Sequence, residues 1–153
     1  MSSTGHSIYR AALVLEMIGN LGSVPSWILD QETALRFLVR GPSGITPVSK
    51  SFAQWFGGIV FALTIPLIMA FPSSGDRQVV IARRQLTYWT LGAGEFALGG
   101  LMAMQYLDGD SGLSEDLLVK GMMTMAGLMV MRLFFLFVKP EWMDPAATQV
   151  KEE

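Results

Sequence analysis

Residues 52–71 read FAQWFGGIVFALTIPLIMAF, and this block contains no charged side chain. A helix rises by about 1.5 Å per residue, so a block of this length crosses a hydrocarbon core about 30 Å thick. Inside a membrane the backbone has to satisfy its own hydrogen bonds, and a helix does so within one segment. The block therefore predicts a transmembrane helix.

Three further apolar blocks of similar length occupy residues 11–29, 86–107 and 117–138. Each is long enough to cross a bilayer as a helix. We therefore predict an all-α membrane protein, a bundle of four transmembrane helices. Residues 1–144 are expected to form this single domain, and residues 145–153 a disordered polar tail.

The composition narrows the classes of function. The chain has 153 residues, of which 51% are hydrophobic and 16% charged, and its mean hydropathy is +0.41. A net charge of -2 provides no basic surface for nucleic acid. The chain has no cysteine, which excludes disulfides and thiolate chemistry, and its single histidine, His6, argues against haem or di-iron ligation. We expect no metal and no cofactor.

Lysine and arginine in the connections between blocks indicate the orientation. The N-terminal segment, the connection between the second and third blocks and the tail hold six of them, against four in the other two connections. This excess predicts cytoplasmic termini, in the endoplasmic reticulum membrane if the chain is eukaryotic. The segment 32–40, ETALRFLVR, has apolar residues on one side. It is predicted to be either a short helix lying on the membrane or a plain connector.

Apart from Lys120 near the start of the fourth block, three charged side chains fall inside the apolar blocks, where each costs about 3 kcal/mol at the bilayer centre. Counted from the cytoplasmic end, helical rise places Glu16 about 7 Å deep, Arg132 about 9 Å and Glu95 about 13 Å. Asn20 follows Glu16 by four residues and so shares its helix face. We therefore predict that these four side chains converge in one layer inside the bundle.

Two interpretations of this layer stay open. In the structural one, Arg132 neutralises a buried carboxylate and Asn20 completes the hydrogen bonds. In the catalytic one, the second carboxyl group is protonated because it is desolvated, which creates an acid–base pair. Glu95 is deeper and has small neighbours, so it is predicted to be the acid. Glu16 is closest in depth to Arg132 and is predicted to be the base.

The residues around Glu95 are small, and the fourth block is rich in methionine. Small residues allow either a cavity or close packing of helices, and methionine either adapts to a flexible apolar ligand or fills the core. On the cavity interpretation, the predicted substrate-binding residues are Gln54, Trp55, Tyr88, Trp89, Met125 and Met129.

The blocks carry three landmark motifs: EMIGN at 16–20, QWFGG at 54–58 and Gly94-Glu95. With them, the segment 9–139 resembles the DoxX-like group of small four-helix membrane proteins. It is also similar to the small four-helix membrane enzymes encoded beside fungal polyketide synthases. The second resemblance implies epoxide opening and cyclisation of polyenes, and neither resemblance supplies a catalytic motif that transfers residue by residue.

The residue chemistry and the resemblance favour a membrane-embedded acid/base enzyme that needs no cofactor. It would be an epoxide hydrolase, cyclase or isomerase acting on a lipophilic polyketide- or terpenoid-like substrate. Two other functions stay open: a non-catalytic subunit or scaffold of a membrane complex, and a proton-coupled carrier, because intramembrane carboxylates also relay protons. The expected partners are the lipophilic substrate and membrane lipid, without nucleic acid, and a homo-oligomer is left open.

Overall fold

The structure is a computed structural model of the chain, and it describes residues 3–109 and 111–145. Five α-helices follow one another: α1 (Ser3–Leu29), α2 (Gln31–Leu38), α3 (Pro47–Ala70), α4 (Arg77–Asp108) and α5 (Glu115–Leu133). Short 3-10 turns lie at Pro42–Gly44 and Pro140–Met143, and a π-helical turn lies at Phe134–Val138. These residues form no β-strand, so the described part of the chain is all-helical.

Polar side chains determine where the long helices begin. The Thr46 hydroxyl accepts a hydrogen bond from the Ser49 N–H at 3.1 Å, and the Thr46 N–H donates to the Ser49 hydroxyl at 2.8 Å. This reciprocal pair starts α3. Asp76 starts α4 and Ser114 starts α5, each by accepting from backbone N–H groups of the first turn. Gly109, with φ 73°, ends α4 in a left-handed conformation that glycine adopts at little cost.

Three helical segments are long and apolar enough to cross a membrane: Thr4–Leu29, Pro47–Ala70 and Glu115–Val138. Large apolar side chains are exposed on their outer surfaces, as expected where lipid is the solvent. The remaining long helix, α4, is not among them, because polar residues such as Glu95 and Gln105 are distributed along its length. The described part of the chain is therefore all-helical and has three candidate membrane spans, which is compatible with an integral membrane protein.

Two helices begin well before the apolar blocks that predicted them. α1 begins at Ser3 rather than at residue 11, and α4 begins at Arg77 rather than at residue 86. An apolar block marks the part of a helix suited to hydrocarbon, whereas a capping residue such as Asp76 sets the start. The short helix considered for the segment 32–40 is present as α2. The predicted tail lies outside the described residues from position 146 onward.

The four long helices pack as two pairs, α1 with α3 and α4 with α5. The loop end of the bundle is the end that carries α2 and the connection 109–114. There, backbone N–H groups join the two pairs: Arg40 donates to Gly112 at 3.0 Å, and Ser114 donates to Leu38 at 2.8 Å. The opposite end, which carries the start of α1 and the 3-10 turn Pro140–Met143, is the terminal end.

The buried core lies towards the terminal end. Tyr9, Tyr88 and Phe135 form its centre, with ring centroids 5.5, 5.4 and 5.8 Å apart. These rings belong to α1, α4 and the π-helical turn, so their contacts join the two helix pairs. Phe135 meets both tyrosine rings edge to face, an arrangement that adds specific geometry to the burial of apolar area. The aromatic core therefore sets the rotation of the helices at this end.

Arg84 ties the terminal end together through backbone carbonyl groups. Its fully buried guanidinium donates to the Ala70 carbonyl at 3.0 Å, to the Met143 carbonyl at 2.6 Å and to the Ser73 hydroxyl at 2.9 Å. Ala70 is the last residue of α3, where helix carbonyls lack partners within the helix. Arg84 thus joins the end of α3, the start of α4 and the end of the described chain.

Gly57 marks a close approach of α1 and α3. A Cβ atom at this position would lie 2.6 Å from the Trp27 Cβ and 2.9 Å from the Ile28 Cγ1. We expect Gly57→Ala to lower the free energy of unfolding by about 1–3 kcal/mol, the usual cost of overpacking. Unfolding of the purified protein in detergent measures the change. Gly58→Ala is the control, because a Cβ there meets nothing within 4 Å. Equal losses in the two variants would contradict the prediction.

Candidate functional site

Arg132 of α5 connects two acidic side chains, one on α1 and one on α4. Its Nε donates to both carboxylate oxygens of Glu95 at 2.8 Å, and its Nη2 donates to Glu95 Oε1 at 2.5 Å. The same Nη2 donates to Glu16 Oε1. Three helices therefore meet at one guanidinium. The three charged residues that the sequence predicted to share a layer are in direct contact and form the Arg132 cluster (Glu16, Glu95 and Arg132).

The Arg132 cluster is almost completely buried. The exposed fraction of the side chain is 1% for Arg132, 9% for Glu16 and 10% for Glu95. Burial removes the hydration of charged groups, so such a cluster is stable only where the charges compensate one another. One guanidinium compensates one carboxylate. The cluster therefore contains one carboxyl group more than it has cations.

Two atoms of the cluster have no hydrogen-bond partner among the described residues: Glu16 Oε2 and Arg132 Nη1. The other oxygen of Glu16 is bonded to the other terminal nitrogen of Arg132, so the two unpaired atoms belong to a pair of hydrogen-bonded side chains. Within the same part of the chain, the buried hydroxyl groups of Tyr9 and Tyr88 also lack partners. Buried polar atoms are normally paired. This concentration of unpaired atoms marks a place suited to a polar ligand atom.

Aromatic rings support the cluster from the terminal end. The Cζ of Arg132 lies 5.0 Å from the centroid of the Tyr88 ring, within the range of a cation–π contact. Tyr88 in turn packs on Tyr9 and Phe135. On the α4 side, a Cβ at Gly92 would lie only 3.4 Å from Arg132 Cδ, so the arginine stem lies close against this helix. The guanidinium is thereby held between the aromatic core and α4.

Asn20 does not join the cluster, contrary to the prediction. Among the described residues no hydrogen bond links its side chain to the cluster, and its backbone carbonyl accepts from the Ser23 hydroxyl at 2.8 Å. Asn20 lies one turn, about 6 Å, closer to the loop end than Glu16. Arg132 does not extend that far, because three of its four hydrogen bonds go to Glu95.

Arg132 also divides its hydrogen bonds differently from the prediction. Glu16 was expected to be its main partner because their depths are closest, yet Glu95 receives three hydrogen bonds and Glu16 one. Depth along the helix axis does not decide this. α5 packs closely along α4, which turns Glu95 towards Arg132, whereas α1 packs mainly on α3.

Two apolar hollows, each with a volume of about 240 Å³, lie beside the cluster between α4 and α5. Phe96 and Met129 line both, so the two hollows together form one α4–α5 groove. Arg132 lines the hollow nearer the terminal end, and Glu95 lines the other. Four of the predicted substrate-binding residues line this groove: Tyr88, Trp89, Met125 and Met129.

Gln54 and Trp55, the other two predicted substrate contacts, are not brought to the cluster. They lie near the loop end of α3, where Gln54 Nε2 donates to the Ile28 carbonyl at 3.4 Å. Trp55 packs on Phe52, with ring centroids 5.1 Å apart. Neither residue lines the α4–α5 groove. The physical reason is the pairing of helices, because α3 packs mainly on α1 rather than beside α5.

A larger hollow of about 560 Å³ lies at the loop end, among α2, the turn that follows it and the start of α3. Three of its charged groups pair with one another: Glu32 accepts from Arg36 and from Lys50, each at 2.9 Å. These hydrogen bonds hold the pKa of Glu32 below its usual range. Such a carboxylate is a poor acid or base near neutral pH. The candidate chemistry therefore lies in the Arg132 cluster.

Arg84 and Tyr9 are buried residues that were not predicted to lie in the interior, although their spacing in the sequence indicates it. Arg84, Tyr88 and Glu95 lie on one helix face, with successive spacings of four and seven residues. Tyr9 is seven residues before Glu16 and occupies the same face of α1. Once a buried charge is placed, residues at helical spacing from it are the best candidates for its surroundings.

Comparisons with known proteins identify no relative. The chain matches no protein-family model, no curated protein and no solved structure. Among the described residues, no group of three His, Asp or Glu side chains is placed to hold a metal ion. The features that bear on function are therefore the Arg132 cluster and the groove beside it.

Proposed function

We propose that the protein is a membrane-embedded acid/base enzyme that opens an epoxide, or drives a related cyclisation or isomerisation, in a lipophilic polyketide- or terpenoid-like substrate. The observation that carries the proposal is the presence of two unpaired atoms, Glu16 Oε2 and Arg132 Nη1, in a buried cluster with an excess carboxyl group. The resemblance of the landmark motifs to DoxX-like proteins and to membrane enzymes of polyketide clusters supports the substrate class.

The charge balance assigns the two carboxyl groups their roles. Three hydrogen bonds from Arg132 favour Glu95 as the ionised partner of the guanidinium. A second negative charge beside it would be buried without a cation, so Glu16 holds a proton on its unpaired Oε2. Glu16 is then the acid and Glu95 the base. These roles are the reverse of those predicted from depth alone.

The two groups supply what epoxide opening requires. The epoxide oxygen accepts the Glu16 proton and a hydrogen bond from Arg132 Nη1, the C–O bond breaks, and a hydroxyl group remains. Water, or a hydroxyl of the substrate in a cyclisation, attacks the carbon, and the proton it releases passes to Glu95. The product is a diol or a cyclic ether alcohol. Return of that proton from Glu95 to Glu16 restores the starting state.

The proposed enzyme crosses the membrane four times, with α4 as a span beside the three candidate ones. The ion pair between Glu95 and Arg132 supports this topology, because an opposite charge lowers the free-energy cost of placing a charged residue of α4 in the hydrocarbon core. The distribution of lysine and arginine supports cytoplasmic termini. In a eukaryotic cell, the proposed location is the endoplasmic reticulum membrane.

Reporter fusions test this topology. A reporter at Ser74, between α3 and α4, is expected on the cytoplasmic side, and a reporter at Gly112, between α4 and α5, on the other side. A fusion at Gly41, between α2 and α3, should report the same side as Gly112. If Ser74 and Gly112 report the same side, α4 does not cross the membrane.

Turnover by the purified full-length chain tests the activity. The protein in lipid nanodiscs is incubated with long-chain polyene epoxides, and the diol or cyclic ether is detected by mass spectrometry. We expect product with the wild-type chain and almost none with the folded Glu16→Gln variant. The competing interpretation, a scaffold subunit with a structural ion pair, predicts that the wild-type chain forms no more product than empty nanodiscs.

A further inference from the structure

We infer that Arg10, Arg83 and Arg84 form a binding site for the phosphate group of an anionic phospholipid at the terminal end of the bundle. These three residues are the terminal arginine patch. Arg10 and Arg83 are half-buried and would contact the phosphate, whereas Arg84 is fully buried and would contribute charge without touching it. The patch contains no residue of the Arg132 cluster, so the inference does not depend on the proposed enzyme activity.

The members of the patch are the cations that lack a carboxylate partner in the described part of the chain. Residues 3–109 and 111–145 contain ten lysines and arginines. Seven of these form an ion pair with an aspartate or a glutamate. Arg10, Arg83 and Arg84 form none with any of the same residues. Buried or half-buried charges normally have a partner of opposite sign, so three such cations in one place indicate a missing anion.

All three arginines contact the residues that follow the end of α3. The Cζ of Arg10 lies 4.3 Å from the centroid of the Phe71 ring. Arg83 Nη2 donates to the Pro72 carbonyl at 2.9 Å, and Arg84 Nη2 donates to the same carbonyl at 3.4 Å. Two guanidinium groups therefore meet at one oxygen. The carboxyl end of a helix carries only about half a negative charge, so it compensates a small part of the three positive charges.

Other cations of the chain are neutralised by its own carboxylates. At the loop end, Arg36 and Lys50 both pair with Glu32 at 2.9 Å. At the terminal end, Asp144 pairs with Arg77, which is not a member of the patch. The described part of the protein therefore supplies no carboxylate partner for the patch. An anion from the surroundings would complete the charge balance.

The patch lies at the edge of the apolar blocks, and this level favours a lipid as the source of the anion. Arg10 directly precedes the block 11–29, and Phe71 closes the block 52–71. Arg83 and Arg84 lie within three residues of the block 86–107, a helical rise of about 4.5 Å. The polar head-group region extends about 5 Å or more beyond the hydrocarbon core on each side. The arginines therefore lie at the level of the lipid phosphates.

Arg10 provides hydrogen-bond donors that suit a phosphate group. Its guanidinium makes no hydrogen bond with the described residues, where its contact is the Phe71 ring. A guanidinium has five N–H donors in a planar fork, which matches the oxygens of a phosphate. Leu86, one turn along α4 from Arg83, is 68% exposed and offers apolar surface to an acyl chain. The patch and its surroundings therefore fit a phospholipid better than a free phosphate ion.

Native mass spectrometry of the purified full chain in neutral detergent tests the inference. The probes are phosphatidic acid and phosphatidylcholine with the same acyl chains, and the Kd is obtained from the fraction of protein that carries lipid. We expect the wild-type chain to bind phosphatidic acid several-fold more tightly than phosphatidylcholine. Equal Kd values for the two lipids would overturn the inference. Displacement of phosphatidic acid by an equal concentration of inorganic phosphate would overturn the lipid as the source of the anion.

Substitutions at Arg10 locate the bound lipid. Arg10→Gln should weaken binding of phosphatidic acid about fivefold, the contribution of one basic residue beside anionic lipid. The fold should persist, because the contact that this arginine makes with the described residues is with the Phe71 ring. Arg10→Lys preserves the charge and should retain most of the binding. Wild-type binding by a folded Arg10→Gln variant would overturn the inference.

Arg36→Gln is the matched control for the loss of one positive charge. Arg36 lies at the loop end and pairs with Glu32, so its removal should leave binding of phosphatidic acid at the wild-type level. Thermal unfolding of each variant in the same detergent checks that the fold persists. If Arg10→Gln and Arg36→Gln weaken binding equally, phosphatidic acid responds to the net charge of the protein, and the terminal arginine patch is not its site.

Discussion

Glu16→Gln is expected to reduce turnover of a lipophilic epoxide by about 10²–10⁴-fold, the usual scale for loss of one general acid. The amide preserves the size of the side chain, and its carbonyl oxygen can still accept from Arg132 Nη2, as Glu16 Oε1 does. The fold should therefore persist. The substitution removes the acidic proton that the proposal places on Oε2. The measurement is kcat for diol or cyclic ether formation, with folding checked by circular dichroism.

Two variants accompany this measurement. Glu115→Gln also removes a carboxylate from the chain, but its side chain is 71% exposed at the start of α5, so turnover should stay at the wild-type level. Glu95→Gln should reduce turnover as well as stability, because it leaves Arg132 without its main counter-ion. A folded Glu16→Gln variant with wild-type kcat would remove Glu16 as the acid and favour a structural ion pair.

Arg132→Met is expected to lower the free energy of unfolding by about 3–5 kcal/mol, the range for breaking a buried ion pair by removing one partner. Methionine fills much of the space of the arginine stem, but it provides no donor for Glu16 or Glu95. Both carboxyl groups would then be buried without a cation. Unfolding in mixed micelles, or thermal unfolding in nanodiscs, measures the loss.

If Arg132→Met loses stability because its carboxyl groups are buried without a cation, removing those carboxyl groups should restore stability. The triple variant Glu16→Gln, Glu95→Gln, Arg132→Met leaves no buried charge in the cluster, so it should regain much of the lost stability. Arg36→Met is the control, because it removes an exposed arginine that is paired with Glu32. An exposed salt bridge of this kind contributes less than about 1 kcal/mol to the free energy of unfolding. If Arg132→Met and Arg36→Met have the same free energy of unfolding, the cluster does not hold the helices together.

The cluster has a structural and a proposed chemical role that depend on the same guanidinium. By bonding Glu16 and Glu95 together, Arg132 joins α1 to the α4–α5 pair at a level just beyond the aromatic core. The same bonds leave one nitrogen and one oxygen unpaired. A residue that both holds helices and positions an acid makes simple loss of activity hard to interpret. This is why stability and turnover have to be measured on the same variants.

Part of this site was predictable from the sequence. The free-energy cost of a charge in an apolar block, and the depth of that charge in the membrane, are both properties of a single helix. A charge in an apolar block needs a partner, and helical rise gives its depth, so Glu16, Glu95 and Arg132 were correctly expected in one layer. The rotation of each helix about its axis was not predictable in this way. That rotation gave Glu95 the larger share of Arg132.

The sequence by itself determined the long helices, since apolar runs and capping residues are local features that act through nearby backbone groups. It also determined which charges had to be buried. Only the tertiary structure decided that α4 packs beside α5 and α1 beside α3, because helix pairing depends on the fit of side chains from distant segments. That pairing formed the groove beside Arg132, kept Trp55 away from it and placed Arg84 in the interior.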